Sequence, residues 1–172
     1  YYPGEANFRR ANVLIINKMD TARSQDVEII IKNIKDVNPE ATVIYTASAI
    51  RVENEGLIQG KKVLVVEDGP TLTHGGMAYG AGIVAAERYR AGEIVDPRPY
   101  AVGAIKETLT AYPDIKNLIP ALGYAIQQIK DLEDTINNVP CDLVVIATPV
   151  DLKRIIKINR PSVLASYEIE DM

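Results

Sequence analysis

A run of four aliphatic residues, Val63 to Val66, most restricts the fold that this 172-residue chain can adopt. A continuous apolar run of this length is typical of a strand that is buried on both faces of a parallel sheet. The run ends in Glu67 and Asp68, and a loop rich in hydroxyls and glycines follows before a helical pattern begins. In α/β folds, this order of strand, loop and helix places ligand sites outside the carboxyl ends of the strands.

Similar strand patterns alternate with helical patterns along the whole chain. Residues 13–16 (VLII) predict a fully buried strand, and Ser24 predicts the cap of a helix that ends before Pro39. The further predicted strands are 42–46, 63–67, 93–95, 117–121, 142–147 and 163–169, and the further predicted helices are 77–90, 102–111, 124–138 and 148–158. This alternation predicts an α/β fold, a three-layer, mostly parallel sheet with helices on both faces, as in P-loop NTPases and Rossmann-like proteins.

The composition disfavours several classes of protein. The net charge is −4 and the basic residues are scattered, whereas a nucleic-acid binder would carry a basic stripe. No apolar run approaches the about 18 residues that a membrane span requires. Cys141 is the one cysteine and directly precedes an apolar strand, which favours an inert buried thiol. We therefore expect a cytoplasmic protein that binds neither nucleic acid nor membranes.

The tetrapeptide Asn17-Lys18-Met19-Asp20 directly follows the first predicted strand. This N-K-x-D pattern at a strand end matches the guanine-reading loop of P-loop GTPases. There a carboxylate accepts two hydrogen bonds from the N1 and N2 edge of guanine, an edge that adenine does not offer. Ser48 follows the next strand, where such GTPases carry a short Ser-Ala loop that touches the base. The alternative is that Asn and Asp are simply turn-forming residues after a strand.

A phosphate-binding loop of the type G-x-x-x-x-G-K-[ST] does not occur anywhere in the 172 residues. The glycines at positions 75, 76, 80 and 82 match neither this pattern nor G-x-G-x-x-G. The sequence therefore predicts a base-reading loop without the phosphate loop that accompanies it in GTPases.

Two adjacent acids, Glu67 and Asp68, end the strand that begins at Val63. Carboxylates at the end of a parallel strand are candidate ligands of Mg²⁺. In GTPases, however, the strand with the metal-binding acid precedes the base-reading strand, and here it follows. The alternatives are exposed acids at a strand end, or acids that cap nearby backbone amides.

The loop after these acids offers hydroxyls, an imidazole and unhindered backbone amides before a helix. Its candidate ligand-binding residues are Thr71, Thr73, Gly75 and Gly76, and His74 is the candidate catalytic residue. Such a loop can hold an anion without a net positive charge. The alternative is a tight connection between a strand and a helix with a surface histidine.

Arg98 lies between Pro97 and Pro99, and these two prolines restrict the backbone on both sides of it. A guanidinium held in this way could clamp a phosphate or a carboxylate of a ligand. The alternative is an ordinary surface arginine.

Four segments together resemble the C-terminal portion of the cyclic 2,3-diphosphoglycerate synthetases of archaea and bacteria and their GTPase-like relatives. The segments are YYPGEANFRRANVLIINKMDTA, KKVLVVEDGPTLTHGGMAYGAG, DPRPYAVGAIKE and TPVDLKRIIKINRPSVLASYEIED. The resemblance implies a P-loop NTPase relationship, with the phosphate loop in an N-terminal part, and ATP-driven closure of a phosphoanhydride in 2,3-bisphosphoglycerate. It implies that Asn17, Lys18 and Asp20 face the base, whereas the residue types of Glu67 to Gly76 and of Arg98 lead us to expect that they contact the ligand.

Together these observations predict the C-terminal part of a nucleotide-dependent synthetase (ligase) or GTPase-like protein that is not catalytic alone. Residues 1–59 would end its nucleotide-binding domain, and residues 60–172 would form an α/β C-terminal domain. The expected cofactors are ATP or GTP with Mg²⁺. The expected partners are a small phosphorylated ligand and either a second copy or the N-terminal part. The alternative is a stand-alone, non-catalytic module that binds a small anion or metabolite, or that serves oligomerisation.

Overall fold

The computed structural model describes residues 4–74, 77–123 and 125–172, with Thr71 described by its backbone alone. The chain divides into two compact units. Unit 1 comprises Tyr1–Ala49 and Tyr167–Met172, and unit 2 comprises Ile50–Ser166. The predicted boundary at residue 59, between a nucleotide-binding domain and a C-terminal domain, stays a prediction.

Unit 1 begins with helix α1 (Gly4–Arg10), strand β1 (Val13–Ile16) and helix α2 (Ser24–Val37). Strand β2 (Thr42–Val52) follows, and β1 pairs with its first residues in parallel, from Val13 opposite Thr42 to Ile16 opposite Tyr45. Helix α2 buries Val27 and Ile34. The N-cap position of α2 is occupied by Arg23 without a side-chain cap, so the prediction that Ser24 caps this helix was wrong.

The prediction that residues 13–16 are fully buried was also wrong. These residues do form β1, but Val13 and Ile15 are 50% and 61% exposed, whereas Ile16 is buried. Alternate residues of a strand point to opposite faces of the sheet. One face of β1 is therefore open to solvent in the part of the chain that the structure describes.

Unit 2 is built around strand β3 (Lys62–Asp68), which follows a 3₁₀ turn at Glu55–Leu57. Its remaining strands are β4 (Glu93–Ile94), β5 (Ile119–Ala121), β6 (Leu143–Ala147) and the start of β7 (Ser162–Asp171). Strand β3 pairs in parallel with β6 on one side and with both β4 and β5 on the other, and β6 pairs in parallel with β7. The prediction of an α/β fold with a mostly parallel sheet is confirmed.

The helices of unit 2 are α3 (Gly69–Thr73), α4 (Ala81–Arg88), α5 (Gly103–Ala111) and α6 (Ile126–Asn138). Residues 63–66 of β3 are completely buried, and because successive residues point to opposite faces, both faces of this strand are covered. The core of unit 2 combines these residues with Val144 and Val145 of β6, Ile105 of α5 and Ile136 of α6.

The predicted helix over 148–158 is absent, and a 3₁₀ turn at Leu152–Arg154 takes its place. The Thr148 hydroxyl accepts a hydrogen bond from Val150 N at 3.0 Å, and Asp151 Oδ1 accepts one from Lys153 N at 3.2 Å. Such local bonds to the backbone stabilise turns at the expense of a helix. The residue types that suggested a helix start therefore form two successive turns instead.

Candidate functional site

The turn that contains Asn17 and Asp20 lies at the carboxyl end of β1, in unit 1. Lys18 has a φ of 62°, a left-handed conformation that is uncommon for a residue other than glycine. The amide groups of Thr21 and Ala22 donate hydrogen bonds to Lys18 O at 3.1 and 2.9 Å. Backbone conformations of this kind persist where the surrounding contacts hold them, and they concentrate at functional sites.

The side chain of Asn17 is the centre of this turn. Its Oδ1 accepts hydrogen bonds from Thr46 Oγ1 at 2.9 Å, from Ser48 Oγ at 3.1 Å and from Lys18 N at 2.7 Å. Met19 N also donates to Thr46 O at 3.1 Å. The turn after β1 is therefore fixed to residues 46–48 of β2, and the structure brings the two predicted pieces of the base-reading loop together.

Asp20 completes the arrangement from the other side of the turn. Its Oδ1 accepts a hydrogen bond from Ser48 N at 3.2 Å, and the residue is exposed. Lys18 is exposed as well, and its Nζ lies 5.7 Å from the centre of the Tyr167 ring. The arrangement thus offers a fixed, solvent-accessible carboxylate and an exposed lysine in the same turn. These groups suit the hydrogen-bonding edge and the flat face of a purine base.

Thr46 and Tyr167 belong to this site although the sequence did not single them out. Thr46 is 2% exposed, and its hydroxyl bonds Asn17. Its position two residues before Ser48 in the same strand, on the same face, was the signal that could have found it. Tyr167 reaches Lys18 from the far end of the chain, and no sequence spacing predicts such a contact.

Glu67 is the second-last residue of β3 in unit 2 and faces the first turn of α4. The residue is 2% exposed, and Oε1 accepts a hydrogen bond from Ile83 N at 2.9 Å. Burial raises the pKa of this carboxyl, while hydrogen bonds from the amides of Ile83, Gly82 and Gly80 act in the opposite direction. A carboxylate at a helix N-terminus satisfies amides that have no partner within the helix. The contacts of Glu67 therefore match the capping alternative, and its metal role stays a prediction.

Two glycines allow this close approach between β3 and α4. A Cβ atom at Gly80 would lie 2.5 Å from Glu67 Oε2, and one at Gly82 would lie 2.5 Å from Val65 Cγ1. Such distances are shorter than van der Waals contact. Part of the glycine-rich pattern thus serves the packing of the helix onto the sheet.

The loop after Glu67 is only partly described. Asp68 is half-buried and precedes α3, the short helix in which Thr73 Oγ1 donates to Gly69 O at 3.0 Å. His74 ends α3 and is exposed. The predicted roles of Gly75, Gly76 and the Thr71 side chain lie outside the described residues. In the described part of the chain, no group of three or more His, Cys, Asp or Glu residues could hold a metal ion.

Arg98 uses its guanidinium to hold its own surroundings together. Nη1 donates to Asp96 Oδ1 at 3.0 Å and to Asn117 Oδ1 at 3.4 Å. Nη2 donates to the backbone oxygens of Ile115 and Pro113. These contacts join the Asp96–Arg98 segment to the segment before β5. They favour a bracing role, and the predicted contact with a ligand stays a prediction.

A cavity of about 260 Å³ lies in unit 2 beside the loop that follows β6. Its polar lining includes Glu53, Thr148, Asp151 and Lys153, and its apolar lining includes Ile146. It therefore lies at the carboxyl end of a central strand, where α/β folds place ligands. The sequence pattern gave no sign of this cavity, because it predicted a helix where the structure has this loop.

Comparison with known proteins gives one whole-chain match. The chain is 56% identical over all 172 residues to a protein of Thermococcus kodakarensis named arginine synthetase ArcE, and it spans 38% of that protein's length. No protein-family model matches the chain. The match is compatible with the resemblance to cyclic 2,3-diphosphoglycerate synthetases. Among the described residues, the helices are too short or too polar to cross a membrane.

Proposed function

We propose that this chain is one part of a nucleotide-dependent synthetase, and that unit 1 reads the base of a purine nucleotide. The observation that carries the proposal is the Asn17 side chain, whose Oδ1 accepts three hydrogen bonds and fixes the turn to residues 46–48. This fixation keeps Asp20 and Lys18 in place before a nucleotide arrives. Preorganised polar groups bind a ligand at a lower entropic cost than mobile ones.

The nature of the reaction is proposed from the relative and from the resemblance. A synthetase couples the cleavage of a nucleoside triphosphate to the formation of a new bond. The name of the Thermococcus kodakarensis protein makes arginine a candidate product, and the resemblance makes a cyclic phosphoanhydride another. In either case the phosphate-binding groups and the bound Mg²⁺ would belong largely to another part of the protein, which would stabilise phosphoryl transfer electrostatically.

Unit 2 would hold the second substrate in this scheme. The segment from Asp68 to Gly76 follows the central strand β3 and supplies hydroxyls, backbone amides and His74. A small phosphorylated substrate is the ligand class that such donors would recognise. His74 is the candidate proton donor or acceptor, because it is exposed and carries an imidazole.

The nucleotide part of the proposal can be tested by binding measurements on the purified chain. GTP, ATP and 2,3-bisphosphoglycerate would be titrated to millimolar concentration and followed by calorimetry. We expect Asp20→Ala to lower the affinity for GTP by roughly tenfold or more, because the site loses a charged acceptor for two base donors. Asp36→Ala is the matched control, since Asp36 is an exposed residue of α2 in the same unit.

The variants also separate the two sites. If His74→Ala alone weakens 2,3-bisphosphoglycerate binding and Asp20→Ala leaves every ligand unchanged, the chain is a metabolite-binding module and the base-reading role is refuted. Equal affinities of wild type, Asp20→Ala and Asp36→Ala for GTP would refute it as well. If ATP and GTP bind with equal affinity and Asp20→Ala weakens both equally, the site binds purine nucleotides but is not specific for guanine.

A further inference from the structure

Three aliphatic side chains form an open face on the sheet of unit 1. Val13 and Ile15 of β1 are 50% and 61% exposed, and Ile44 of β2 is 37% exposed. Ile15 lies directly opposite Ile44 in the parallel register, so these side chains share one face of the sheet. We call these three residues the β1–β2 apolar face.

This face departs from the normal chemistry of a parallel sheet. Parallel sheets are normally covered on both faces, as the completely buried residues 63–66 of unit 2 illustrate. Strands at a free edge are usually short, charged or interrupted by proline, which prevents unwanted pairing. Strand β1 is short but carries neither a charge nor a proline, since all four of its residues are aliphatic, and among the described residues it pairs with β2.

The length of the relative indicates what covers the face. The chain matches the Thermococcus kodakarensis protein over all its residues but spans 38% of that protein, so most of the longer protein lies outside the matched part. We infer that the β1–β2 apolar face is the docking surface for another segment of such a longer polypeptide. This segment would add a strand parallel to β1 and lay an amphipathic helix across Val13, Ile15 and Ile44.

A second copy of this chain fits the face less well. Two copies related by a two-fold axis would pair β1 antiparallel to itself over a strand of four residues. A further segment of the same polypeptide can continue the parallel pairing that β1 and β2 already show. The inference does not depend on nucleotide recognition, because it uses no residue of the Asn17–Asp20 turn.

Cysteine labelling tests the inference in the isolated chain and in a full-length protein. The full-length protein would be a chimera in which this chain replaces the matched part of the Thermococcus kodakarensis protein. Ile15→Cys should react readily with a maleimide in the isolated chain, and at least about tenfold more slowly in the chimera, because buried thiols are inert. Ile126→Cys is the control and should react equally in both, since Ile126 is 89% exposed on unit 2. The native Cys141 is buried and would be replaced by Ala in all samples.

A second experiment does not require the chimera to fold. The chain would be co-expressed with the tagged remainder of the Thermococcus kodakarensis protein, and co-purification would be measured. We expect wild type and Ile126→Lys to co-purify with the tagged remainder, and Ile15→Lys not to co-purify with it. Equal labelling of position 15 in the chain and the chimera would overturn the inference, and so would equal co-purification of Ile15→Lys and Ile126→Lys. A dimer of the isolated chain that Ile15→Lys dissociates would also overturn it, in favour of a second copy.

Discussion

The side-chain oxygen of Asn17 fixes the turn after β1. Its removal should therefore lower the stability of the protein as well as its affinity for a nucleotide. In Asn17→Ala the hydroxyls of Thr46 and Ser48 lose their acceptor, and Thr46 is buried. We expect unfolding free energy to fall by about 1–3 kcal/mol, the usual cost of leaving buried donors unsatisfied. Urea denaturation would measure this loss of unfolding free energy. Asn33→Ala on the exposed surface of α2 is the control, and an equal loss in both variants would contradict the prediction.

Glu67 should make the stability of the protein depend on pH in an unusual direction. Because burial raises its pKa in the folded state, the folded protein binds the proton more tightly than the unfolded chain does. Its contribution is therefore fully present below the ordinary glutamate pKa and is lost as pH rises through the raised value. Glu67→Gln cannot lose a proton, so the unfolding free energy of the variant should fall less than that of wild type as pH increases from about 4 toward neutrality.

Denaturation midpoints at several pH values would measure this difference. Glu107→Gln is the control, because Glu107 is an exposed residue of α5. Its profile should run parallel to that of wild type over the whole range. A Glu67→Gln profile that is also parallel to wild type would show that Glu67 keeps the same pKa in the folded and unfolded states.

At the scale of elements, helix α5 is capped by a residue of helix α6. Asp131 Oδ2 accepts a hydrogen bond from Ala104 N at 2.9 Å, and Oδ1 accepts one from Gln127 Nε2 at 2.8 Å. Gly103 precedes this contact with a φ of 48°, and a Cβ there would overlap the Asp131 carboxylate. The start of α5 is thus defined by a side chain from another helix.

This cap should stabilise the fold more when Asp131 is ionised than when it is protonated. The hydrogen bond from Ala104 N and then that from Gln127 lower the pKa of Asp131 in the folded state. The contribution is present above the ordinary aspartate pKa and is lost as pH falls through the lowered value. We therefore expect Asp131→Asn to melt below wild type at neutral pH and the difference to shrink on acidification. Asp134→Asn, on the same helix but at an exposed ion pair with Lys130, should show a smaller difference.

The elements that the sequence predicted best are strands formed by continuous aliphatic runs. Residues 13–16, 63–67 and 142–147 all lie in or at strands, because continuous aliphatic runs have few other stable environments. The helix predicted from Thr148 did not form, although Leu152, Ile155 and Ile156 follow at helical spacing. Local hydrogen bonds from Thr148 and Asp151 then decided the conformation. Cap residues alone do not distinguish a helix start from a turn.

At the scale of the molecule, the candidate site was predictable where it depends on short sequence spacing. The Asn17–Asp20 turn and Ser48 were identified from their positions after two strands, and the parallel pairing of those strands brings them together. The contact of Lys18 with Tyr167 and the open face at Val13 and Ile15 were not predictable. The contact depends on the return of the C-terminal residues to unit 1, and the exposure depends on tertiary packing at β1; local sequence spacing encodes neither.

The isolated chain should not hydrolyse nucleotides, because its base-reading turn has no accompanying phosphate loop of the G-x-x-x-x-G-K-[ST] type in the sequence. Phosphoryl transfer needs positive groups and backbone amides positioned around the transferred phosphate, and a base contact alone supplies none of them. Phosphate release from ATP and GTP with Mg²⁺ should therefore equal the rate without protein. In the full-length chimera, we expect release that Asp20→Ala reduces and Asp36→Ala leaves unchanged. Nucleotide-dependent release by the purified 172-residue chain, lost in His74→Ala, would instead show that unit 2 carries out the chemistry without another part of the protein.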